Sequence, residues 1–356
     1  MSDGRHVALY FVASPLQYLA ARRIAETFEQ GARQVLVWYK KGVTQIVVEQ
    51  DWDASAYMAW PRWQPLPGPF GRHRRLRANI RQVAELVGRC ESIHIHSAVF
   101  DTEAINYFLR ALPKACGAGT MKARILPDGI ISIRRYPLSP LKAAAQYLRK
   151  LRRLVAPELD YWCFAGDRIG SDAPFCDRIY ALPGLPNEYP PAKTVLLPAL
   201  VARSEARQDL ATRRALVVGQ PLVGSGLMTP EARDAVSQHI RAWLQAEGFD
   251  EIDYKGHPKD PQRELLEPAY RPIEIGEALE TYLSHTAYDC VVGVRSSALL
   301  FARQIYGQDA QVVAFGWDNV SFKSASERRD MENAFRAAGV EFAPPPRSAA
   351  ARKATP

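Results

Sequence analysis

The chain has 356 residues, a length that favours two domains and is ample for two hydrophobic cores. Apolar residues make up 47% of the sequence and charged residues 24%, which excludes an intrinsically disordered or fibrous chain. The net charge of +8 indicates an anionic partner: nucleic acid, an acidic membrane surface, or a small molecule that carries phosphate or carboxylate groups.

Neither a membrane span nor an exported, disulfide-bonded protein is indicated. No apolar run approaches the roughly 18 residues that suggest a spanning helix, and the N-terminus lacks the basic and apolar regions of a secretory signal. The five cysteines are scattered, with no C-x-x-C spacing, which argues against a disulfide framework or a zinc knuckle. We therefore expect a cytoplasmic protein.

The first predicted elements are a buried strand and a helix. Residues 6–13 form a near-continuous apolar run, typical of a strand buried on both faces of a parallel sheet. Ser14 and Pro15 suit the N-cap and first position of a helix that reaches about Glu29. Because ligands bind at the carboxyl ends of such strands, Ser14 and Gln17 are candidate substrate contacts, although plain helix capping explains Ser14 equally well.

A second strand end carries an acidic residue. Residues 122–126 are typical of a short strand, which runs into Pro127, Asp128 and Gly129. The turn would hold the Asp128 carboxylate at the strand end, and Gly129 would allow close backbone approach. Asp128 could also hydrogen-bond its own backbone and serve only the turn.

Two patterns that often mark metal sites are weak in this sequence. His94 and His96 alternate along a predicted strand and share a face, but no third ligand is evident near them. Asp51 and Asp53 have the spacing of a D-x-D motif, but they lie away from the other candidates. We therefore expect no metal.

The sequence over residues 138–155 predicts an amphipathic helix with a cationic and an apolar sector. Such a helix can bind peripherally to the anionic inner face of the cytoplasmic membrane. It can equally pack as an ordinary helix whose long cationic side chains cover apolar surface.

The second half of the sequence repeats the strand and helix alternation. One strand runs into Gly219 and Gln220, and a second ends at His257, where Pro258 stops the ladder. A histidine at a strand's carboxyl end faces the usual ligand crevice. Packing of His257 against a neighbouring loop is the structural alternative.

A third strand of this half leads into Ser296 and Ser297 at the start of a helix. Hydroxyls and free backbone N–H groups at a helix N-terminus bind anions, with support from the helix dipole. Ser296 could also be a simple N-cap.

These patterns predict an α/β fold of two Rossmann-like, doubly wound domains that face a central cleft. Residues 1–200 form the first predicted domain, residues 201–343 the second, and residues 344–356 a disordered tail. Neither half contains G-x-G-x-x-G or a Walker motif, so neither pattern supports dinucleotide or Walker-type nucleotide binding.

The ordered motifs resemble those of bacterial sialyltransferases that use CMP-activated nonulosonic acids. That group contains lipooligosaccharide sialyltransferases of glycosyltransferase family 52 and capsular polysialyltransferases. The resemblance rests on residues 13–17, Asp128-Gly129, residues 219–221, His257-Pro258 and Ser296-Ser297. It implies a GT-B architecture and inverting transfer without a metal.

The resemblance also implies a role for each motif. Asp128 would be the general base, His257 would assist departure of the CMP phosphate, and Ser296 and Ser297 would bind that phosphate. The family's acidic motif usually has two acids before glycine, whereas Pro127 occupies the first place here. The supporting carboxylate is then absent or comes from elsewhere.

We therefore expect transfer of sialic acid, or a related nonulosonate, from a CMP donor to a hydroxyl of a surface glycan such as lipopolysaccharide or capsule. The first domain would bind the acceptor, and the second would bind the donor with Gly219, Gln220 and Pro258 as further contacts. The alternatives are a CMP-Kdo-type transferase, and a nucleotide-sugar epimerase or hydrolase. A basic nucleic-acid-binding protein is disfavoured, because the basic helices lack interleaved stacking aromatics.

Overall fold

The computed structural model describes residues 6–128, 135–182, 187–198, 200, 212–276, 279, 282–283 and 286–344. The described residues up to Leu200 form one compact unit, and those from residue 212 onward form a second. Gly129 and the predicted tail, apart from Pro344, lie outside the described residues.

The first unit is built around a parallel sheet. Its strands are β1 (His6–Val12), β2 (Arg33–Trp38), β3 (Ala54–Tyr57), β4 (Ser92–Ser97), β5 (Thr120–Ile125), β6 (Cys176–Ala181) and β7 (Thr194–Leu196). Their order is β3-β2-β1-β4-β5-β6-β7, and all neighbouring strands pair in parallel. The direction of winding reverses between β1 and β4, which is where open α/β sheets bind ligands.

Helices alternate with these strands. They are α1 (Pro15–Thr27), α2 (Lys41–Thr44), α3 (Gly71–Val87), α4 (Glu103–Asn106), α5 (Phe108–Cys116) and α6 (Pro140–Lys150). The predicted burial of the first strand is confirmed, since every residue of β1 after His6 has no exposed surface. Ser14 caps α1, and its Oγ accepts from the Gln17 N–H at 3.3 Å. α1 therefore begins at the carboxyl end of β1.

The second unit has the same design. Its strands are β8 (Arg214–Val218), β9 (Glu251–Lys255), β10 (Arg271–Pro272), β11 (Cys290–Gly293), β12 (Gln311–Ala314) and β13 (Glu341–Phe342), and its described helices are α7 (Pro230–Ala246), α8 (Ser297–Tyr306) and α9 (Ala325–Ala337). The strand order is β10-β9-β8-β11-β12-β13, again parallel throughout. Winding reverses between β8 and β11, so this edge is the second expected ligand site.

The predicted helix over residues 138–155 is shorter than expected. α6 ends at Lys150, and a 3₁₀ helix (Leu151–Leu154) continues the chain. Gln146 is the one buried residue of α6, and its Oε1 accepts from the Phe164 N–H at 2.9 Å. The apolar sector faces solvent instead of a core. Among the described residues, no helix is long and apolar enough to cross a membrane.

Candidate functional site

The register of the first sheet brings the predicted turn residues to one edge. Tyr10 pairs with His96, and His96 pairs with Arg124. Ser14 and Asp128 each lie four residues beyond this level, at the carboxyl ends of β1 and β5. The sheet therefore places two motifs that are far apart in sequence on the same edge.

A hydrogen bond joins the two motifs directly. Gln17 Nε2 donates to Asp128 Oδ1 at 2.8 Å, and Gln17 Oε1 accepts from the Ala13 N–H at 2.7 Å. Gln17 is only 3% exposed, so its amide is held between the β1 turn and the carboxylate. Pro127, where the family has its first acid, is buried. The Gln17 amide thus supports the Asp128 carboxylate.

Tyr39 lies within electrostatic reach of the same carboxylate. It follows β2 directly, and its N–H donates to Val12 O at 3.2 Å. Burial, with a further contribution from the negative charge of Asp128, raises the pKa of Tyr39 well above its ordinary value. The Tyr39 hydroxyl therefore stays protonated at neutral pH and adds a neutral donor, not a charge, to this edge.

The second sheet aligns three strand ends in the same way. Val218 of β8 pairs with Lys255 of β9, and Val217 pairs with Val292 of β11. The residues that follow these positions form one edge, and they include the predicted motifs at Gly219, Gln220, His257, Ser296 and Ser297.

His257 is fixed by its own turn. Its Nδ1 accepts from the Lys259 N–H at 3.0 Å, and its carbonyl oxygen accepts from the Asp260 N–H at 2.8 Å. Because Nδ1 is an acceptor, the neutral imidazole carries its proton on Nε2. Burial, with the nearby charges of Lys259 and Lys255, lowers the pKa of His257, and Asp260 only partly opposes this. His257 is therefore a neutral N–H donor at neutral pH.

Gln220 ties two strand ends together at the reversal of winding. Its Nε2 donates to Arg295 O at 3.1 Å, and its Oε1 accepts from the Arg295 N–H at 3.0 Å. Both amide positions thus hold the backbone just before Ser296. Gln220 was predicted as a donor contact, and its observed bonds assign it the positioning of the β11 end.

α8 presents its N-terminus at this edge. Ser296 is the N-cap, with its Oγ accepting from the Ala298 N–H at 3.3 Å, and Ser297 is the first helical residue. Arg295, which the sequence analysis missed, stands beside them. Its guanidinium is held by Glu327 at 3.3 Å and by the Phe322 ring at 4.9 Å. Hydroxyls, helix-end amides and a fixed cation make this a suitable anion site.

Gly219 is required by close packing of β8 against β9. A Cβ atom at this position would lie 2.4 Å from the Tyr254 hydroxyl oxygen and 3.1 Å from Lys255 O. Its N–H donates to Lys255 O at 2.8 Å. Any larger residue would therefore have to displace the Tyr254 side chain of β9.

A buried glutamate holds the loop after β8. Glu264 accepts from the Val223 N–H at 2.7 Å and from the Gly224 N–H at 3.0 Å, and it is 7% exposed. The sequence analysis missed Glu264, which lies about 40 residues beyond the loop that it fixes. The loop that contains Val223 and Gly224 is therefore pre-organised by a carboxylate.

A histidine and carboxylate cluster lies toward the amino edge of the first sheet. Potential ligand atoms of His6, Glu29 and His94 lie within 4.8 Å of one another. His94 therefore has further potential ligands beside it, which the sequence did not reveal. Glu29 also pairs with His96 at 3.2 Å and with Arg124. This network gives the buried carboxylate its partners, and it includes the first residue of β1 rather than the turn that follows that strand.

Comparison with known proteins adds a family to this geometry. Residues 189–314, about a third of the chain, match the family model of alpha-2,8-polysialyltransferase (POLYST). The matched segment contains His257 and both serines but not Asp128. The predicted resemblance is confirmed over this segment. A search of curated proteins finds no match.

Solved structures provide the fold. The glycotransferase of kitacinnamycin is similar with a TM-score of 0.50 and 12% identity, over 95% of this chain and 86% of that chain. A putative UDP-N-acetylglucosamine 2-epimerase from Listeria monocytogenes has a TM-score of 0.48 and 10% identity, over 94% and 88% of the two chains. MurG from Acinetobacter baumannii has a TM-score of 0.47 and 10% identity, over 95% of this chain and 85% of that chain. The first similarity and the two parallel sheets confirm the GT-B fold, and the family match supports a glycosyltransferase.

Proposed function

We propose that the chain is an inverting, metal-independent sialyltransferase. It moves sialic acid, or a related nonulosonate, from a CMP-activated donor to a hydroxyl of a bacterial surface glycan. The observation that carries the proposal is the anion site at the start of α8, which lies inside the segment that matches polysialyltransferases.

The donor side follows from the charge that leaves the reaction. Departure of CMP develops negative charge on a phosphate monoester, and fixed donors at that oxygen lower the barrier. Ser296, Ser297 and the free N–H groups of α8 supply such donors. The Nε2–H of His257 adds one more donor from the end of β9, on the same sheet edge, and Arg295 adds a fixed positive charge.

The acceptor side follows from the weakness of a sugar hydroxyl as a nucleophile. The Asp128 carboxylate would take the proton as attack proceeds. The Gln17 amide holds this carboxylate in place, so it acts as a positioning residue for the base. Attack by one activated hydroxyl displaces CMP in a single step, which inverts the anomeric centre. Since donors and cations of the chain supply charge stabilisation, the mechanism requires no metal.

The competing functions differ in the substrates that they require. A CMP-Kdo-type transferase would use the same nucleotide site with another sugar, whereas an epimerase or hydrolase would not need an acceptor. A nucleic-acid-binding protein would use its +8 charge over a broad surface, and its binding would fall steeply with salt. The family match favours the transferase.

We also propose that an exposed apolar surface binds an anionic membrane. Among the ten large hydrophobic side chains found exposed in the described residues, six lie between residues 141 and 155, so exposed apolar surface is concentrated in this segment. They are Leu141, Tyr147, Leu148, Leu151, Leu154 and Val155. Lys142, Lys150 and Arg153 flank them. Apolar insertion beside cations suits a membrane of anionic lipids, where a lipid-linked acceptor would be found.

A nucleotide panel tests the donor class. Thermal unfolding is followed with CMP, CDP, UMP and UDP, because a ligand that binds only the folded state raises its stability by about 2.7 kcal/mol at 100 times Kd. We expect CMP to raise the Tm by several degrees and UDP to leave it unchanged. Stabilisation by UDP alone would overturn the donor assignment.

A further inference from the structure

Three aromatic rings follow one another at the carboxyl edge of the first sheet, the first two stacked and the third tilted. Tyr39 follows β2, and Trp60 and Trp63 follow β3. The ring centroids of Tyr39 and Trp60 are 4.4 Å apart with planes 22° apart, and those of Trp60 and Trp63 are 5.8 Å apart at 37°. We refer to these three rings as the aromatic ladder.

The outer end of the ladder is exposed in a firmly held turn. Trp63 is 60% exposed, whereas Tyr39 and Trp60 are partly buried. The N–H groups of Trp63 and Gln64 both donate to Trp60 O, at 3.0 and 2.8 Å. Gln64 also accepts from the Tyr57 hydroxyl at 2.9 Å and from Arg75 Nε at 2.9 Å. The turn that carries the exposed ring is therefore held in place before a ligand binds, which reduces the entropic cost of binding.

The inner end of the ladder lies on the sheet edge that carries the proposed base. Tyr39 lies near enough to Asp128 for the carboxylate charge to contribute to its raised pKa. Trp38 pairs with Val12 on one side and with Tyr57 on the other, so the ends of β1, β2 and β3 lie at one level of this edge. The ladder thus runs from the side of Asp128 outward past β3.

We infer that the aromatic ladder is a subsite for an oligosaccharide acceptor, with the reacting sugar beside Asp128 and the preceding sugars on Trp60 and Trp63. The inference rests on the proposed function. Pyranose rings have apolar C–H faces and polar rims, and an aromatic face buries the former while leaving the hydroxyls hydrated. Rings that continue beyond the base would bind a chain of sugars, so the ladder favours extended acceptors over single sugars.

Acceptor length and a single substitution test this subsite. Trp63→Ala should raise KM for a tetrasaccharide acceptor on the order of tenfold, which is about 1.4 kcal/mol. KM for the CMP donor, and the kinetics with a monosaccharide glycoside, should not change. Trp63→Phe should keep KM for the tetrasaccharide close to the wild-type value, because phenylalanine retains an aromatic face.

Phe70→Asn provides the matched control. Phe70 is 79% exposed in the same connection between β3 and α3, and asparagine tolerates its φ of 55°. This variant removes an exposed ring outside the ladder and should leave every kinetic constant unchanged. An equal increase in KM for Phe70→Asn would show a general loss of surface apolarity and overturn the subsite.

Ligand-observed NMR without donor separates this inference from the proposed function. If no sialic acid is transferred but the tetrasaccharide binds the wild type and not Trp63→Ala, the subsite stands and the sialyltransferase proposal fails. If transfer occurs and Trp63→Ala changes neither binding nor KM of the tetrasaccharide, the subsite is wrong. Absence of both binding and transfer in the wild type overturns both.

Discussion

The backbone N–H of Lys259 decides how His257 can act. By donating to Nδ1 at 3.0 Å, it directs the proton of the neutral ring to Nε2. The pKa is lowered mainly by burial, so protonation of the ring is disfavoured at neutral pH. A neutral N–H can stabilise a leaving phosphate without first being protonated. This role is narrower than that of a general acid. It follows from the hydrogen bond between the Lys259 N–H and His257 Nδ1.

Replacing His257 tests that role. His257→Ala should lower kcat by about 10²-fold, the usual cost of losing one donor at a developing anion. His257→Gln offers an amide N–H and should recover part of the loss, whereas a ring needed as an acid would not be replaced by an amide. Steady-state kinetics of the three proteins give the answer. Equal rates in wild type and His257→Ala would remove the residue from the mechanism.

The lowered pKa also predicts a pH dependence of stability. A histidine with a depressed folded pKa contributes stability that is present above its unfolded value of about 6.5 and is lost as pH falls through the folded pKa. Wild type should therefore lose more stability than His257→Gln when the pH falls from 7.5 to below 6. Denaturant unfolding at each pH measures this, and a smaller loss in wild type would contradict the direction of the shift.

Individual side chains of both units show what local sequence patterns do not predict. Asp128 and Gln17 were each predicted as site residues from their own strand ends, but their 2.8 Å hydrogen bond joins positions 111 residues apart. Arg295 and Glu264 gave no signal, because a common residue type becomes informative only when its partners are known. Local patterns identified the turns, and tertiary contacts showed which side chains hold others in place.

α8 combines a structural and a proposed binding role in adjacent residues. Ser296 satisfies a helix N–H, whereas Ser297 is already helical. Capping stabilises the helix, and phosphate binding uses whatever donors remain at its end. Ser296 would therefore serve both helix stability and phosphate binding, whereas Ser297 would serve binding alone.

Alanine substitution of each serine tests these roles. Ser296→Ala should cost about 1 kcal/mol of stability and weaken CMP binding, and Ser297→Ala should weaken CMP binding with little loss of stability. Calorimetric titration with CMP and denaturant unfolding measure the two effects. Ser139→Ala, which removes the cap of α6, is a control that should lose stability alone. Unchanged CMP affinity in both α8 variants would place the phosphate elsewhere.

α6 shows why an amphipathic pattern leaves two interpretations. The sequence predicted both sectors but not which one would pack, since the helical period is the same in either case. Here the polar Gln146 is buried, and the apolar sector faces solvent. The burial of one glutamine amide, bonded to a neighbouring loop, reverses the usual orientation.

Vesicle binding tests the exposed sector. Wild type should sediment with vesicles of phosphatidylcholine and phosphatidylserine, and less so at high salt. The double variant Leu148→Asp, Leu151→Asp should lose this binding at unchanged stability, because both side chains are exposed. Leu196→Asp adds an acid at another exposed leucine and should still bind. Equal sedimentation of all three proteins would remove this surface as the membrane contact.

The whole molecule repeats one design twice. Each unit has a parallel sheet whose winding reverses once, and each reversal coincides with predicted motifs. The alternation of strands and helices was enough to predict this class of fold, because buried parallel strands have continuous apolar runs. The +8 charge fits a donor that carries a phosphate and a carboxylate. The alternation of strands and helices does not predict which motif would bind which substrate, because that depends on individual side chains.

The most direct test is a transfer assay with CMP-sialic acid and an oligosaccharide acceptor, comparing wild type with Asp128→Asn. NMR of the product should show a new glycosidic linkage of inverted configuration, formed equally well in the presence of EDTA. Asp128→Asn should lower the rate by about 10²- to 10⁴-fold, with unchanged Tm and CMP affinity. Equal donor consumption with and without acceptor, or full activity in Asp128→Asn, would contradict the proposed reaction.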